Sequence, residues 1–249
     1  MSNLTEQEEI FLMAARANDI NTVTEYLAAG VDINAQDERF KQTALSWAAF
    51  KGHTKVARLL INTRADLNIP DKHGATALKW AADRGHADIV HALTDAGANP
   101  NIQDDNSETP LIAAAHHGHE ASVKHLIAAK ANLDMANEKG KTALISAICR
   151  NHTNIVLDLI NAGADLHIKS IDNDKTALDF AKEKGHTEII ELLEAALAQQ
   201  ERQRKQEAFK RNSEMVTSTI AILQQRERRN AVPVLKRRKN KPQKKTRPK

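Results

Sequence analysis

Short apolar runs and short polar turns alternate along most of this chain, and the alternation has a period. Thr43-Ala44-Leu45, Thr76-Ala77-Leu78, Thr109-Pro110-Leu111, Thr142-Ala143-Leu144 and Thr176-Ala177-Leu178 begin at intervals of 33, 33, 33 and 34 residues. Nine positions after each threonine come Gly52-His53, Gly85-His86, Gly118-His119, Asn151-His152 and Gly185-His186. Val56, Ile89, Val123, Ile155 and Ile189 then open a second apolar run. Three markers in phase at a fixed period signify one supersecondary unit that recurs and stacks on its neighbours. Local signals define the unit. A threonine hydroxyl ahead of an apolar run supplies an N-cap, and Pro110 stands at the first helical position, where its missing donor is not needed. Glycine, or Asn151 in its place, ends that helix in a left-handed turn. The small pairs Ala48-Ala49, Ala81-Ala82 and Ala114-Ala115 let the next unit approach closely, while Leu45, Leu78, Leu111 and Leu144 fill the space between units. A second helix runs to Gly30, Gly97 and Gly163, and turn residues such as Asp71-Lys72-His73-Gly74 lead to the next threonine. Each unit reads as helix, turn, helix and projecting loop, so the predicted class is all-α.

With these markers the chain resembles the ankyrin-repeat family, whose unit is about 33 residues with a Thr-Pro-Leu-His-x-Ala opening. Phe11 to Gly30 fits the same template one residue out of step. The resemblance implies a solenoid of six units over 1–197, at about 5–41, 42–74, 75–107, 108–140, 141–174 and 175–197. In the sixth unit Ala181-Lys182 followed by Glu183 and Lys184 replaces the small pair, as a water-facing terminal unit requires. The chain departs from the pattern in places. Ser46, Lys79, Ile112, Ile145 and Asp179 stand at the family's histidine, and Arg64 and Lys130 stand where glycine ends the second helix. If those two keep the left-handed geometry, each costs about 1 kcal/mol. Ile148 replaces the second small residue of unit five. An extra residue in Ser170-Ile171-Asp172-Asn173-Asp174 predicts a distorted hairpin between units five and six.

Composition refines this picture and divides the chain. Aromatic residues make up 3% of the sequence, so the core is built from Ala, Leu and Ile. The single cysteine, Cys149, excludes an intramolecular disulfide and a thiolate zinc cluster and fits a reducing compartment. No basic leader with an apolar stretch and no run of eighteen apolar residues occurs, so neither an export signal nor a membrane span is expected. The expected location is the cytoplasm or nucleus, with the chain monomeric. The net charge of +4 averages two unlike parts: 19 basic and 28 acidic residues before Gln199, against 17 basic and 4 acidic from there on. Residues 198–230 lack Gly and Pro and read as a charged helical extension, in which Phe209, Val216, Ile220 and Leu223 form a one-sided seam too short to define a coiled coil. Residues 231–249 carry Lys236, Arg237, Arg238, Lys239, Lys241, Lys244 and Lys245 with no acidic residue, and are expected to be a disordered basic tail. The run Lys236–Lys239 resembles a nuclear localisation signal read by an importin. Nonspecific nucleic-acid contact, attraction to anionic lipid and plain solubilisation compete with that reading. No aromatic residue follows Phe209, which leaves base stacking unsupported.

Chemistry-bearing motifs are sparse. The common phosphate, dinucleotide, zinc-protease and acyl-transfer signatures are missing, and stacking claims residues 5–197, so a non-enzymatic chain without cofactor or metal is expected. His53, His86, His119, His152 and His186 recur at the repeat spacing and read as structural residues at the interhelical turn. His116, His117 and His119 are clustered, but neighbours on a helix point apart. Trp47 and Trp80, at equivalent positions, read as core more than contact surface. Asn34, Asn68 and Asn101 match the turn position that is hydroxylated in some family members, and local side-chain to backbone bonding suffices to explain them. In the family, the residues before each Gly-His turn line the concave face. The resemblance therefore implies a partner-protein groove formed by Phe50, Lys51, Asp83, Arg84, His116, His117 and Arg150 with the loop residues Arg39, Phe40, Lys72 and His73. Phe50, Phe40 and Arg84 are its expected anchors. The function read from the sequence is a protein-binding adaptor with a basic targeting tail. The alternative is a nucleic-acid-associated protein whose tail contacts phosphates. Ankyrin proteins occur in eukaryotes and in intracellular bacteria that deliver them into hosts, so a host-directed effector is one form this adaptor takes.

Overall fold

The computed structural model describes residues 4–230; the basic run from Lys236 to Lys245, and the disorder expected there, lie outside the described residues. Eleven short helices and one long one follow in order. They are α1 (Glu6–Ala17), α2 (Ile20–Ala28), α3 (Ala44–Lys51), α4 (Thr54–Asn62), α5 (Ala77–Arg84), α6 (Ala87–Asp95), α7 (Pro110–His117), α8 (Glu120–Ala128), α9 (Ala143–Cys149), α10 (Thr153–Asn161), α11 (Ala177–Lys184) and α12 (Thr187–Asn230). Among the described residues there is no extended strand, only isolated bridges at Gln36–Thr43 and Ala136–Thr142.

The threonines do what the pattern predicts. Oγ1 of Thr43, Thr76, Thr109, Thr142 and Thr176 accepts the backbone N–H three residues on, at 3.1–3.4 Å, which satisfies one of the orphan donors of each helix start. Gly52, Gly85, Gly118 and Gly185 cap the other ends at φ of 71–80°, and Asn18 and Asn151 take the same left-handed turn at 64° and 62°. Arg64 and Lys130 also hold it, at 65° and 59°, against the Cβ clash that makes it unfavourable.

First helices stack on first helices (α1, α3, α5, α7, α9, α11) and second helices on second helices. Leu45, Leu78, Leu111 and Leu144 are buried between them, as are both members of the pairs Ala48-Ala49, Ala81-Ala82 and Ala114-Ala115. Burying each leucine stabilises the stack by roughly 1.5–3 kcal/mol. The residue at the family's histidine position is buried in four of the five units: Ser46, Lys79, Ile112 and Ile145.

Polar contacts between repeats run at three levels. At the hairpin tips, the N–H groups of Lys72, Asp105, Glu138 and Ile171 donate to the carbonyls of Phe40, His73, Asn106 and Lys139 in the preceding hairpin. In the loops after the second helices, Oδ1 of Asn34, Asn68, Asn101 and Asp134 accepts the N–H of Asp66, Asn99, Asn132 and Asp165 at 2.8–2.9 Å. These asparagines thus bridge repeats rather than close their own hairpin. At the interhelical turns, Nε2 of His53, His119 and His152 meets the carbonyls of Arg16, Asp83 and His116 at 3.1, 3.0 and 3.3 Å.

Two hairpins carry an added residue, closing from Asp37 to Gln42 and from Ser170 to Lys175, whereas Asp71–Ala75, Asp104–Glu108 and Asn137–Lys141 close one residue sooner. The sequence predicts the second; the first accounts for the opening unit being one residue out of step. Among the turn histidines His186 has a buried Nε2 without a partner. The equivalent turn of the preceding repeat carries Asn151 in place of glycine. There α9 ends early, with Arg150 at φ −107°. One compact unit runs to Ala196 and another starts at Leu197. In the latter, Phe209, Val216, Ile220 and Leu223 are exposed.

The turn glycines differ in what surrounds them. A Cβ at Gly85 would lie 2.5 Å from the His119 ring, whereas one at Gly185 meets nothing within 4 Å, although both have φ above 70°. Gly185→Ala is expected to cost about 1 kcal/mol from backbone strain alone, and Gly85→Ala about 2–3 kcal/mol because it also displaces a bonded imidazole. Urea unfolding of the two variants checks this; equal losses would mean that the histidine contact contributes nothing.

Candidate functional site

The hairpins and first-helix ends of repeats one to three bring four aromatic rings into one row. Phe40, Trp47, Phe50 and Trp80 follow one another edge to face, with centroids 5.9, 6.1 and 5.2 Å apart and interplanar angles of 84°, 87° and 89°. The fold sets this row in place. Asp37 receives the Trp47 indole N–H at 3.0 Å, and Asp71 receives that of Trp80 at 2.9 Å. The same carboxylates organise their hairpins: Asp37 accepts the N–H of Phe40 and Gln42, and Asp71 those of His73 and Ala75. Trp47 is buried, in keeping with its reading as core, yet it also lines a concavity with Phe40, Phe50 and Trp80.

Cations cover these rings. Arg16 lies 4.5 Å from the Trp47 centroid, Lys72 and Arg39 lie 4.3 and 4.9 Å from Phe40, and Arg84 and Lys51 lie 4.4 and 5.5 Å from Phe50. Each such contact contributes about 0.5–1 kcal/mol at an exposed site. A concavity of about 300 Å³ is lined by Arg16, Phe40, Trp47, Phe50, His73 and Trp80. A second, of about 390 Å³, shares Phe40 and Trp47 and adds Leu12, Met13 and Arg39. Beneath the row, Lys79 is buried against Asp104 at 3.0 Å and lies 5.2 Å from the Trp80 ring.

The residues expected at the groove thus separate into two sets. Arg39, Phe40, Phe50, Lys51, Lys72, His73 and Arg84 gather around the aromatic row. His116, His117 and Arg150 form a polar continuation: the Arg150 guanidinium meets His116 Nε2 at 2.9 Å and His117 lies 3.3 Å from Asp83, which also pairs with Arg84 at 3.6 Å. Sequence reasoning missed Arg16 and Lys79 and gave the tryptophans no surface role. The signal was present in the aspartate that precedes each Trp-bearing helix. Among the described residues no group of three or more His, Cys, Asp or Glu is placed to hold a metal, and no helix is long and apolar enough to cross a membrane.

A one-dimensional stack of helical hairpins, presenting a row of loops and helix ends, is a repeat solenoid. A family model for ankyrin repeats in three copies matches residues 11–104 and 93–170, and the chain belongs to the ankyrin-repeat family. The crystal structure of the ankyrin repeat protein EF0377 superimposes with a TM-score of 0.70 at 30% identity, covering 78% of this chain and 99% of that one. An ankyrin repeat domain from Acinetobacter baumannii AYE gives 0.70 at 33% identity, covering 75% and 96%. Ankyrin repeat domain-containing protein 40 of Mus musculus is 38% identical over 64 residues, which is 26% of this chain and 18% of that protein. The human protein of the same name matches equally over 17% of its length, so the likeness spans less than a fifth of these relatives.

Burial, and for His116 the adjoining Arg150 charge, push His86 and His116 below the ordinary imidazole value of 6.5. An unfolded chain then takes up protons at a pH where the folded one does not. The stability held by the neutral rings is complete above about 6.5 and is lost as pH falls below it. Urea midpoints are expected to drop between pH 7.5 and pH 5.5, with His116→Gln, which still accepts from Arg150, removing part of the drop. Superimposable pH profiles for the two proteins would refute this.

Proposed function

We propose that this chain is a protein-binding adaptor that engages a partner along the face formed by its hairpins and first-helix ends, chiefly at repeats one to three. The observation that carries the reading is the row Phe40, Trp47, Phe50 and Trp80 under its covering cations. Aromatic and arginine side chains dominate protein contacts, and here they converge on one surface. The fold supports it from the other side, since repeats bury their apolar residues in stacking and present variable side chains outward. Phe50→Ala combined with Arg84→Ala is expected to abolish recovery of the partner from a cross-linked cell extract while leaving the melting temperature within a few degrees. Equal recovery by both proteins would place the binding face elsewhere.

The basic run Lys236, Arg237, Arg238 and Lys239 is proposed as the targeting element of the adaptor, taken up by an importin. Its support is the charge pattern alone. A fluorescent protein fused to residues 230–249 is expected to concentrate in nuclei, and replacing those four residues by alanine should return it to an even distribution. An even distribution of the unaltered fusion would remove the targeting role.

A further inference from the structure

We infer that the partner segment taken at repeats one to three is an extended acidic peptide with an apolar anchor, its carboxylates held by the cations that cover the aromatic row. The inference rests on the adaptor reading and names the chemistry of what that face binds.

The first support is how the charges of the face are used. The three aspartates at the row have internal partners: Asp37 and Asp71 hold indole N–H groups, and Asp83 pairs with Arg84 and His117, whereas Glu9 and Glu38, exposed at the larger concavity, make no ion pair among the described residues. Most cations of the face have no such partner. Arg16, Arg39, Lys51 and Lys72 are exposed, and none makes an ion pair among the described residues. At the row itself unpaired cations therefore outnumber unpaired carboxylates.

Geometry is the second. A guanidinium lying flat on a ring uses its face and keeps its N–H edge directed outward, the orientation that binds a carboxylate through two parallel hydrogen bonds. Arg16 over Trp47 and Arg84 over Phe50 are within stacking distance, the latter with its Nε also 3.6 Å from Asp83, and Lys72 over Phe40 adds a point charge at the Phe40 end of the row. Rings that restrain these long side chains before binding reduce the ordering cost of the contact. The apolar anchor has its own place: Leu12 and the exposed Met13 line the concavity of about 390 Å³ beside Phe40 and Trp47.

The same arrangement disfavours a nucleic acid, the other polyanion a basic aromatic surface suggests. Base stacking needs an open ring face. Here the rings meet edge to face and each has a cation 4.3–5.2 Å from its centroid, while Trp47 is only 8% exposed.

The test is selection from a random peptide library displayed on phage against the immobilised full chain, with counter-selection on the Lys72→Glu, Arg84→Glu double variant. That variant keeps the basic tail, so tail binders are removed. Both substitutions are at exposed side chains, and an unchanged melting temperature verifies the fold; Lys72→Gln with Arg84→Gln replaces it if the reversed charges destabilise the chain. Surviving sequences are expected to be rich in Asp and Glu around a Trp, Phe or Leu. The best of them, as a synthetic peptide, should bind the variant at least about tenfold more weakly and lose several-fold affinity to the intact chain between about 50 and 300 mM salt. Survivors that are neutral or basic would overturn the inference while leaving the adaptor reading standing. No survivors after counter-selection would overturn both. Binding of oligothymidylate to the intact chain but not the variant would assign the face to nucleic acid instead. A dimer in sedimentation that the double variant abolishes would assign it to a second copy.

Discussion

No single unit of this chain can bury its own apolar surface, and every other feature depends on how each unit is covered by the next. A pair of helices of seven to twelve residues, such as α1 to α11, is too short to be stable alone in water. Leu45, Leu78, Leu111 and Leu144 become buried only when first helix meets first helix. Polar contacts then fix the register at three levels, between hairpin tips, at the interhelical turns and in the loops after the second helices. All of these join residues about 31 to 37 positions apart, so coupling is between nearest neighbours, and stability is a sum of unit and interface terms.

The aromatic row follows from this coupling. A hairpin aspartate tied to backbone N–H groups is a fixed point, and the indoles of Trp47 and Trp80 are attached to two such points, Asp37 and Asp71. Asp104 shows what the same position does when its own repeat has no tryptophan. Ala113 stands at the Trp site there, and Asp104 receives Lys79 from the preceding repeat instead, at 3.0 Å with both side chains largely buried. One scaffold position therefore serves either to orient a surface ring or to neutralise a buried cation, and the residue four after the threonine decides which.

The architecture was legible in the sequence because its causes are local. A threonine that caps, a glycine that turns left-handed and a pair of alanines that admits a neighbour each act within a few residues, and each recurs in phase. The left-handed turns at Arg64 and Lys130 and the longer hairpin at Ser170–Lys175 followed from the same markers. The first longer hairpin, Asp37–Gln42, showed only as the one-residue offset of the opening unit, which lacks the threonine-glycine phase that would locate the insertion. The candidate site was half legible. Phe40, Phe50 and Arg84 stand where the template demands nothing, which singles them out. Arg16 over Trp47 and Lys79 against Asp104 are pairs between different repeats, and no local pattern says which side chains will face each other across a junction.

The two halves of the face differ for a reason visible in their hydrogen bonds. Toward the C-terminal repeats the arginine is spent within the protein, Arg150 on His116, while Asp83 takes His117 and one lysine, Lys141, lies 5.5 Å from the Phe180 ring. A partner that engages the Arg150 guanidinium there must break its bond to His116, and the net gain of such an exchange is small. Toward the N-terminal repeats the cations rest on rings instead, a weaker hold that leaves their N–H groups open. A ligand carboxylate there adds a bond without displacing one, on a surface whose side chains are already restrained. Directional binding at one end of a repetitive stack thus needs no change of fold, only a change in what each arginine or lysine touches.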